Sequence, residues 1–165
     1  MGATSPAEIA QSASETEHRA RSMYRFLECT AGQYMTRSVI TVTRQITLRD
    51  LKALFDKHDF NSFPVVEGGK MVGIVTKFDF LRAFVFTTSQ MVPHYEDLMR
   101  RPVQQIMTER VSSIESTTPL TRVLELMVML KARSLPVIGS NGELVGVISR
   151  EDVMRALAEA TQETR

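Results

Sequence analysis

The sequence predicts an α+β fold in which one β-α-β-β-α unit is used twice. Three observations predict it. First, Met35-Thr36, Leu48 and Pro64-Val65 return 72 positions later as Met107-Thr108, Leu120 and Pro136-Val137. Second, after one inserted residue the offset becomes 73, and Gly73-Ile74-Val75-Thr76-Lys77-Phe78-Asp79 is answered by Gly146-Val147-Ile148-Ser149-Arg150-Glu151-Asp152, with Arg82-Ala83 answered by Arg155-Ala156. Third, a hairpin signal stands at the same place in each copy, Gly68-Gly69 in the first and Asn141-Gly142 in the second. An internal repeat fixes the architecture ahead of any single motif, and a site in one copy implies a counterpart in the other.

The elements follow in order. Residues 1–30 precede the repeat. Ser5 suits a helix N-cap, Pro6 its first position and Glu8 the partner in a capping box. Ile9, Ala13, Thr16, Ala20, Met23 and Leu27 then keep a four-three spacing, which predicts an N-terminal helix with a thin apolar stripe. Such a helix packs on its own domain or makes a dimer or partner contact. In the first copy, residues 31–86, the β-branched run Val39 to Thr43 predicts a strand. Leu48, Leu51, Leu54, Phe55 and His58 share one face of a helix, with His58 at its end. Phe63 to Val66 and Lys70 to Val75 are two strands of a hairpin, and a helix opens at Thr76 and runs through Phe78, Leu81 and Phe84. Residues 87–102 connect the copies. Pro93 and Pro102 punctuate this segment and Tyr95 to Met99 suits a helical turn. Its Met91, Val92, Tyr95, Leu98 and Met99 are too apolar for a free linker, so it is expected to fold back onto the body or a partner. The second copy, residues 103–160, repeats the order. The extra residue falls in its hairpin turn, and its last helix opens at Ser149 and runs through Val153, Met154 and Leu157.

Composition narrows the function. Each copy, at about 55 to 60 residues, is near the size at which a lone core becomes marginal, so the two are expected to share one. A hydrophobic fraction of 43% and a charged fraction of 24% are those of a globular protein, and a net charge of +1 gives no electrostatic reason for a nucleic-acid partner. The single cysteine, Cys29, excludes an internal disulfide framework, and no metal-ligand spacing is visible. With no signal-peptide pattern and no apolar run of membrane-spanning length, a cytoplasmic setting is expected. His18, His58 and His94 are scattered and no nucleophile is partnered, so catalysis is not expected and no cofactor is required. The ten methionines suit core and interface filling.

The motif that carries chemistry is Gly-apolar-apolar-Thr/Ser-x-x-Asp, present twice. Gly73 and Gly146 let backbone approach closely. Thr76 and Ser149 place a hydroxyl where a strand gives way to a helix start, a natural anion seat. Asp79 and Asp152 follow within one turn, where a carboxylate can accept two bonds from a diol. Hydroxyl and helix start for phosphate, with carboxylate for ribose, is nucleotide chemistry. The same residues also spell a capping box, in which Thr76 and Asp79 satisfy their own helix. A hydroxyl can do both.

Met-Thr before the first strand, apolar-Pro-Val at the second, and Gly-x-x-Thr/Ser-x-x-Asp, each occurring twice, resemble a tandem pair of CBS domains, the Bateman module. The resemblance covers roughly residues 31–86 and 103–160. It implies two repeats packed by pseudo-twofold symmetry, with clefts that hold AMP, ADP, ATP, S-adenosylmethionine or a dinucleotide such as NAD. In those clefts Asp79 or Asp152 would hold ribose and Thr76 or Ser149 would touch phosphate. Backbone beside Phe63-Pro64 and Leu135-Pro136 would lie near the base, and Ile40-Thr41 and Ser112-Ser113 would line the cleft. Lys77, Arg133 and Arg150 are candidate phosphate partners, and Asn61 stands where the second copy has Arg133. The second cleft is therefore expected to suit a charged nucleotide better. The resemblance also implies a homodimer paired through helices, for which Phe55, Phe84, Leu126, Met127, Met129 and Leu130 offer apolar surface. The function expected is a regulatory module that senses an adenosine ligand and acts on an effector partner in trans. The alternative is a structural homodimerisation module in which the motif only caps helices.

Overall fold

The computed structural model describes residues 25–85 and 94–162, with side chains to residue 160. The expected N-terminal helix up to residue 24, and Met91 and Val92 of the connection, lie outside the described residues. Residues 25–28 are helical. The elements then run α1 (Ala31–Tyr34), α2 (Leu48–Lys57), β1 (Ser62–Glu67), β2 (Lys70–Thr76), α3 (Lys77–Arg82), α4 (Tyr95–Met99), a 3-10 turn (Val103–Gln105), α5 (Leu120–Met129), β3 (Ser134–Ile138), β4 (Leu144–Ser149) and α6 (Arg150–Gln162).

Local chemistry accounts for most boundaries. Thr47 caps α2 by accepting from the Asp50 amide at 3.2 Å, and the Asp50 carboxylate accepts from the Thr47 amide at 3.2 Å. His58 ends the helix, its amide bonded to the Leu54 carbonyl, and its ring stacks on Phe60 at 5.3 Å. β1 and β2 pair antiparallel, with Ser62 opposite Thr76 and Phe63 opposite Val75. Gly68 and Gly69 turn between them at φ of 55° and 78°, as a two-residue turn with two left-handed positions requires. The longer second turn needs one such position, Gly142 at 81°. α5 ends in a Schellman motif: the Ala132 amide reaches the Met127 carbonyl at 3.0 Å and the Lys131 amide that of Val128 at 3.3 Å. Lys131 takes the left-handed position at φ 52°, where glycine is usual.

The strand expected at residues 39–43 is shorter than predicted. Val42 makes one parallel bridge, donating to Pro64 O at 3.0 Å and accepting from the Val66 amide at 2.9 Å. The chain then turns at once, because the carbonyls of Arg44 and Ile46 accept from the Gln104 and Val103 amides at 3.0 and 2.9 Å. In the second copy Ile114 is likewise a single bridging residue.

Those last bonds belong to a set that occurs twice. Val103 N to Ile46 O is matched by Ala31 N to Thr118 O, both at 2.9 Å. Leu48 N to Arg101 O is matched by Leu120 N to Cys29 O, again both at 2.9 Å. Thr108 and Ile74 exchange two bonds of 2.9 Å, as do Thr36 and Val147. The leading segment of each copy therefore bonds to the first helix and last strand of the other. The described residues accordingly form two compact units, residues 37–85 and 94–113 with 136–146, and residues 25–36 with 114–135 and 147–162, each drawing on both copies. Gly73 serves this exchange. A Cβ there would meet Thr108 O at 2.7 Å and Met107 Cε at 3.0 Å.

Val42, Leu48, Leu51, Phe63, Val65, Val75, Met99, Val103 and Met107 form the core of the first unit. In the second unit Ala31, Leu120, Val123, Leu135, Ile148 and Ala156 are buried. α4 folds back as expected. Leu98 and Met99 are buried, and Glu96 pairs with Arg49 of α2. α3 opens after Thr76 as expected, and the residues along it divide between core and solvent. Phe80, Ala83 and Phe84 pack on the core, while Phe78 and Leu81 are exposed. The reason is the capping box, which directs Asp79 inward and thereby sets the helix rotation.

Candidate functional site

β2 and β4 each end on a hydroxyl that starts the following helix. In the first copy, Asp79 Oδ2 accepts from the Thr76 amide at 3.0 Å and from Thr76 Oγ1 at 2.7 Å, while the Asp79 amide donates to Thr76 Oγ1 at 3.0 Å. In the second, Asp152 Oδ2 accepts from the Ser149 amide and Oγ, both at 2.8 Å, and the Asp152 amide donates to Ser149 Oγ at 3.2 Å. The helix-cap role is therefore present in both copies. Asp79 and Asp152, at 5% exposure each, are the only charged residues buried among the described residues. Burying a carboxylate is costly unless it is bonded, so each needs a further partner for its second oxygen.

That partner is an arginine one turn on. Arg82 Nη2 lies 3.1 Å from Asp79 Oδ1, and Arg155 Nη2 lies 2.7 Å from Asp152 Oδ1. Arg155 also donates to Tyr34 O at 3.1 Å. The Tyr34 phenol is itself pushed up to about 12, first by burial and then by its contacts with Cys29 and Glu159. Sequence reasoning did not single out Arg82 and Arg155 as site residues. The available signal was the duplicated Arg-Ala pair at a fixed three-residue step from each aspartate. An ionised carboxylate offers about four acceptor positions, and three are used in each copy. The open one is on Oδ1.

The other expected site residues are placed as follows. The register of β1 and β2 sets Thr76 opposite Ser62, beside Phe63 and Pro64, and the Lys77 amide bonds Asn61 O at 2.9 Å. Phe63 and Pro64 are buried, and Thr41 is exposed beside Val42, which bridges to this hairpin. Thr41, Pro64, Phe63, Thr76 and Asp79 thus belong to one unit. Thr41 also lines a cavity of about 400 Å³ with Val42, Ile46, Asp50, Leu54 and Lys57, whose wall includes neither Thr76 nor Asp79. In the second copy Arg133, Leu135, Ser149, Arg150 and Asp152 fall in one unit, while Ser113 and Pro136 fall in the other. The Arg150 amide bonds Arg133 O at 3.0 Å, mirroring Lys77 and Asn61. Of the cations expected near phosphate, Lys77 stands 3.9 Å from Asp59 and 5.8 Å from the centre of the Phe55 ring, and Arg150 Nε donates to Ala132 O at 2.9 Å. Among the described residues, no group of His, Cys, Asp and Glu is arranged to hold a metal ion, and no helix is long and apolar enough to cross a membrane.

The hairpin followed by a capped, buried carboxylate thus occurs once in each copy. The CBS domain family matches residues 31–85 and 96–159, and the chain belongs to that family, carrying the domain as a tandem pair. MJ0188 of Methanocaldococcus jannaschii is 33% identical over 133 residues, covering 79% of this chain and 44% of that protein. The chain thus spans less than half the length of that relative. Among solved structures, MJ1225 of the same organism, described as a putative archaeal homolog of g-AMPK, is 26% identical with a TM-score of 0.74, over 83% of this chain and 50% of that one. CBSX2 of Arabidopsis thaliana, solved in complex with AMP, shares the fold at 23% identity and a TM-score of 0.69, over 81% of this chain and 98% of that one.

Proposed function

We propose that this protein is a regulatory module that senses an adenosine nucleotide or related adenosyl compound and acts on an effector protein in trans in the cytoplasm, without catalysing a reaction. The observation that carries this reading is the duplicated buried carboxylate with one acceptor open on Oδ1. A buried acceptor beside a helix start suits a ribose hydroxyl, with Thr76 or Ser149 and the local cations available to phosphate. The functional repeats are residues 31–86 and 103–160. AMP, ADP and ATP are the favoured ligands, with S-adenosylmethionine and NAD as further candidates. The fold is compatible, since CBSX2 binds AMP.

A thermal-shift panel of these five compounds tests the reading. A ligand that binds only the folded state at 100 times its Kd adds about 2.7 kcal/mol, so at least one compound is expected to raise Tm by several degrees. No shift with any of them, at millimolar concentration, would sink it.

The second reading, a homodimerisation module, is favoured by the saturation of three acceptors on each aspartate by the cap and its arginine. The two readings differ on nucleotide but agree on assembly. Of the residues expected to form the dimer surface, Met127 is buried in its own unit, Phe55, Phe84 and Leu126 are half-buried, and Met129 and Leu130 are exposed. Leu124 and Val128 join the exposed set on α5, where α2 carries Lys52 and Asp56 at the matching positions. Phe78, Leu81 and Val85 are exposed around α3. Apolar helix faces of this kind mark interaction sites. A homodimer is expected by light scattering at micromolar concentration, and Val128→Glu/Met129→Glu is expected to dissociate it. A monomeric wild type would remove the proposal.

A further inference from the structure

In both copies an arginine holds the oxygen that a ribose would use. Oδ2 of each aspartate carries two bonds from the helix cap, and releasing it would unmake the helix start. A diol that seeks two acceptors is therefore directed to Oδ1, where one position is open and the other is taken by Arg82 or Arg155. The two members of each pair differ in freedom. The Asp79 and Asp152 side chains are 7% exposed, whereas those of Arg82 and Arg155 are 58% and 53% exposed. Water can take over the guanidinium's bonds but not those of the carboxylate, so the arginine is the member that yields.

We infer that Arg82 and Arg155 set the charge of the ligand these sites accept. This rests on the adenosine reading above. When the diol takes Oδ1, the displaced guanidinium loses its counter-charge but stays tethered beside the ribose. A phosphate-bearing nucleotide restores a partner, and guanidinium pairs with phosphate through two parallel bonds. Adenosine leaves the cation unpaired. S-adenosylmethionine brings a sulfonium next to the ribose and adds like-charge repulsion. The arginines thus favour AMP over adenosine, and adenosine over S-adenosylmethionine. Lys77 and Arg150, the cations that directly follow the hydroxyls, make contacts elsewhere, to Asp59 and to Ala132 O.

Calorimetric titration of the full chain with AMP, adenosine and S-adenosylmethionine tests this. It compares wild type with Arg82→Gln/Arg155→Gln and with Arg82→Lys/Arg155→Lys. In the glutamine variant the AMP-to-adenosine affinity ratio is expected to fall about tenfold, from the loss of a charge-assisted bond. S-adenosylmethionine should bind it at least as tightly as it binds wild type. The lysine variant keeps the charge and is expected to recover most of the AMP preference, which a merely structural arginine would not do. An unchanged ratio in the glutamine variant, or a parallel fall for all three ligands with circular dichroism intact, overturns the inference and leaves the adenosine reading standing. A wild type that binds none of the three overturns both. Should the glutamine variant unfold, the lysine variant decides: wild-type stability with a lost AMP preference would equally contradict the inference.

Discussion

Asp152→Ala is expected to weaken adenosine-ligand binding at its site at least about tenfold, because a hydrogen bond to a charged group contributes roughly 1.5–3 kcal/mol. The same change has a second effect. The Ser149 amide and hydroxyl lose their acceptor, and removal of a helix cap costs about 1 kcal/mol. Affinity and stability are thus expected to fall together in the alanine variant. Asp152→Asn separates them. Its amide oxygen still accepts at the cap, but the charge that holds Arg155 is gone. It is expected to keep more of the stability than of the affinity. Asp79→Ala/Asp152→Ala should reduce binding at both sites. Calorimetry with circular dichroism as a fold check measures each term. Unchanged affinity in the folded double mutant would end the site assignment. Unfolding of the mutants, with no nucleotide bound by the wild type, would leave the aspartates as helix caps alone.

Phe63→Ala is expected to cost about 3–5 kcal/mol of unfolding free energy, read as a shift in the denaturant midpoint. The side chain is fully buried, with its ring 5.0 Å from Phe55 and 5.8 Å from Phe60. Domains of this size are commonly stable by about 5–15 kcal/mol, so the loss approaches the whole margin at the low end. Phe78→Ala is the informative contrast. Phe78 is 69% exposed, so the fold of a single copy should change by no more than about 0.5 kcal/mol, and any effect should appear in self-association. A small cost for Phe63→Ala, or a large one for Phe78→Ala in the monomer, would contradict the core described above.

Sequence alone separates those two phenylalanines poorly. Both are aromatic residues near a predicted strand-helix junction. α3 is only six residues long, so its periodicity is a weak guide to which face turns inward. The aspartate decides it. Once the capping box holds Asp79 inward, Phe80 and Phe84 face the core and Phe78 and Leu81 face outward.

The sequence by itself determined the repeat, the family, the element order, both hairpin turns and the capped aspartates. Each of these rests on local chemistry: glycine at left-handed positions, a hydroxyl three residues before a carboxylate, and a duplication visible as matched letters. Only the tertiary structure decided three further matters. It paired the leading segment of each copy with the other copy, so that Thr108 bonds Ile74 and Thr36 bonds Val147, and it thereby gave Gly73 its reason. It shortened the first strand to Val42, because the carbonyls just beyond are claimed by residues 103 and 104. It also placed Arg82 and Arg155, rather than the cations next to the hydroxyls, on the aspartates. These depend on contacts between distant segments, or on which rotamer a long side chain takes among competing acceptors. The spacing of neighbouring residues does not encode the long-range contacts, and the three-residue step from aspartate to arginine permits the ion pair without fixing the rotamer.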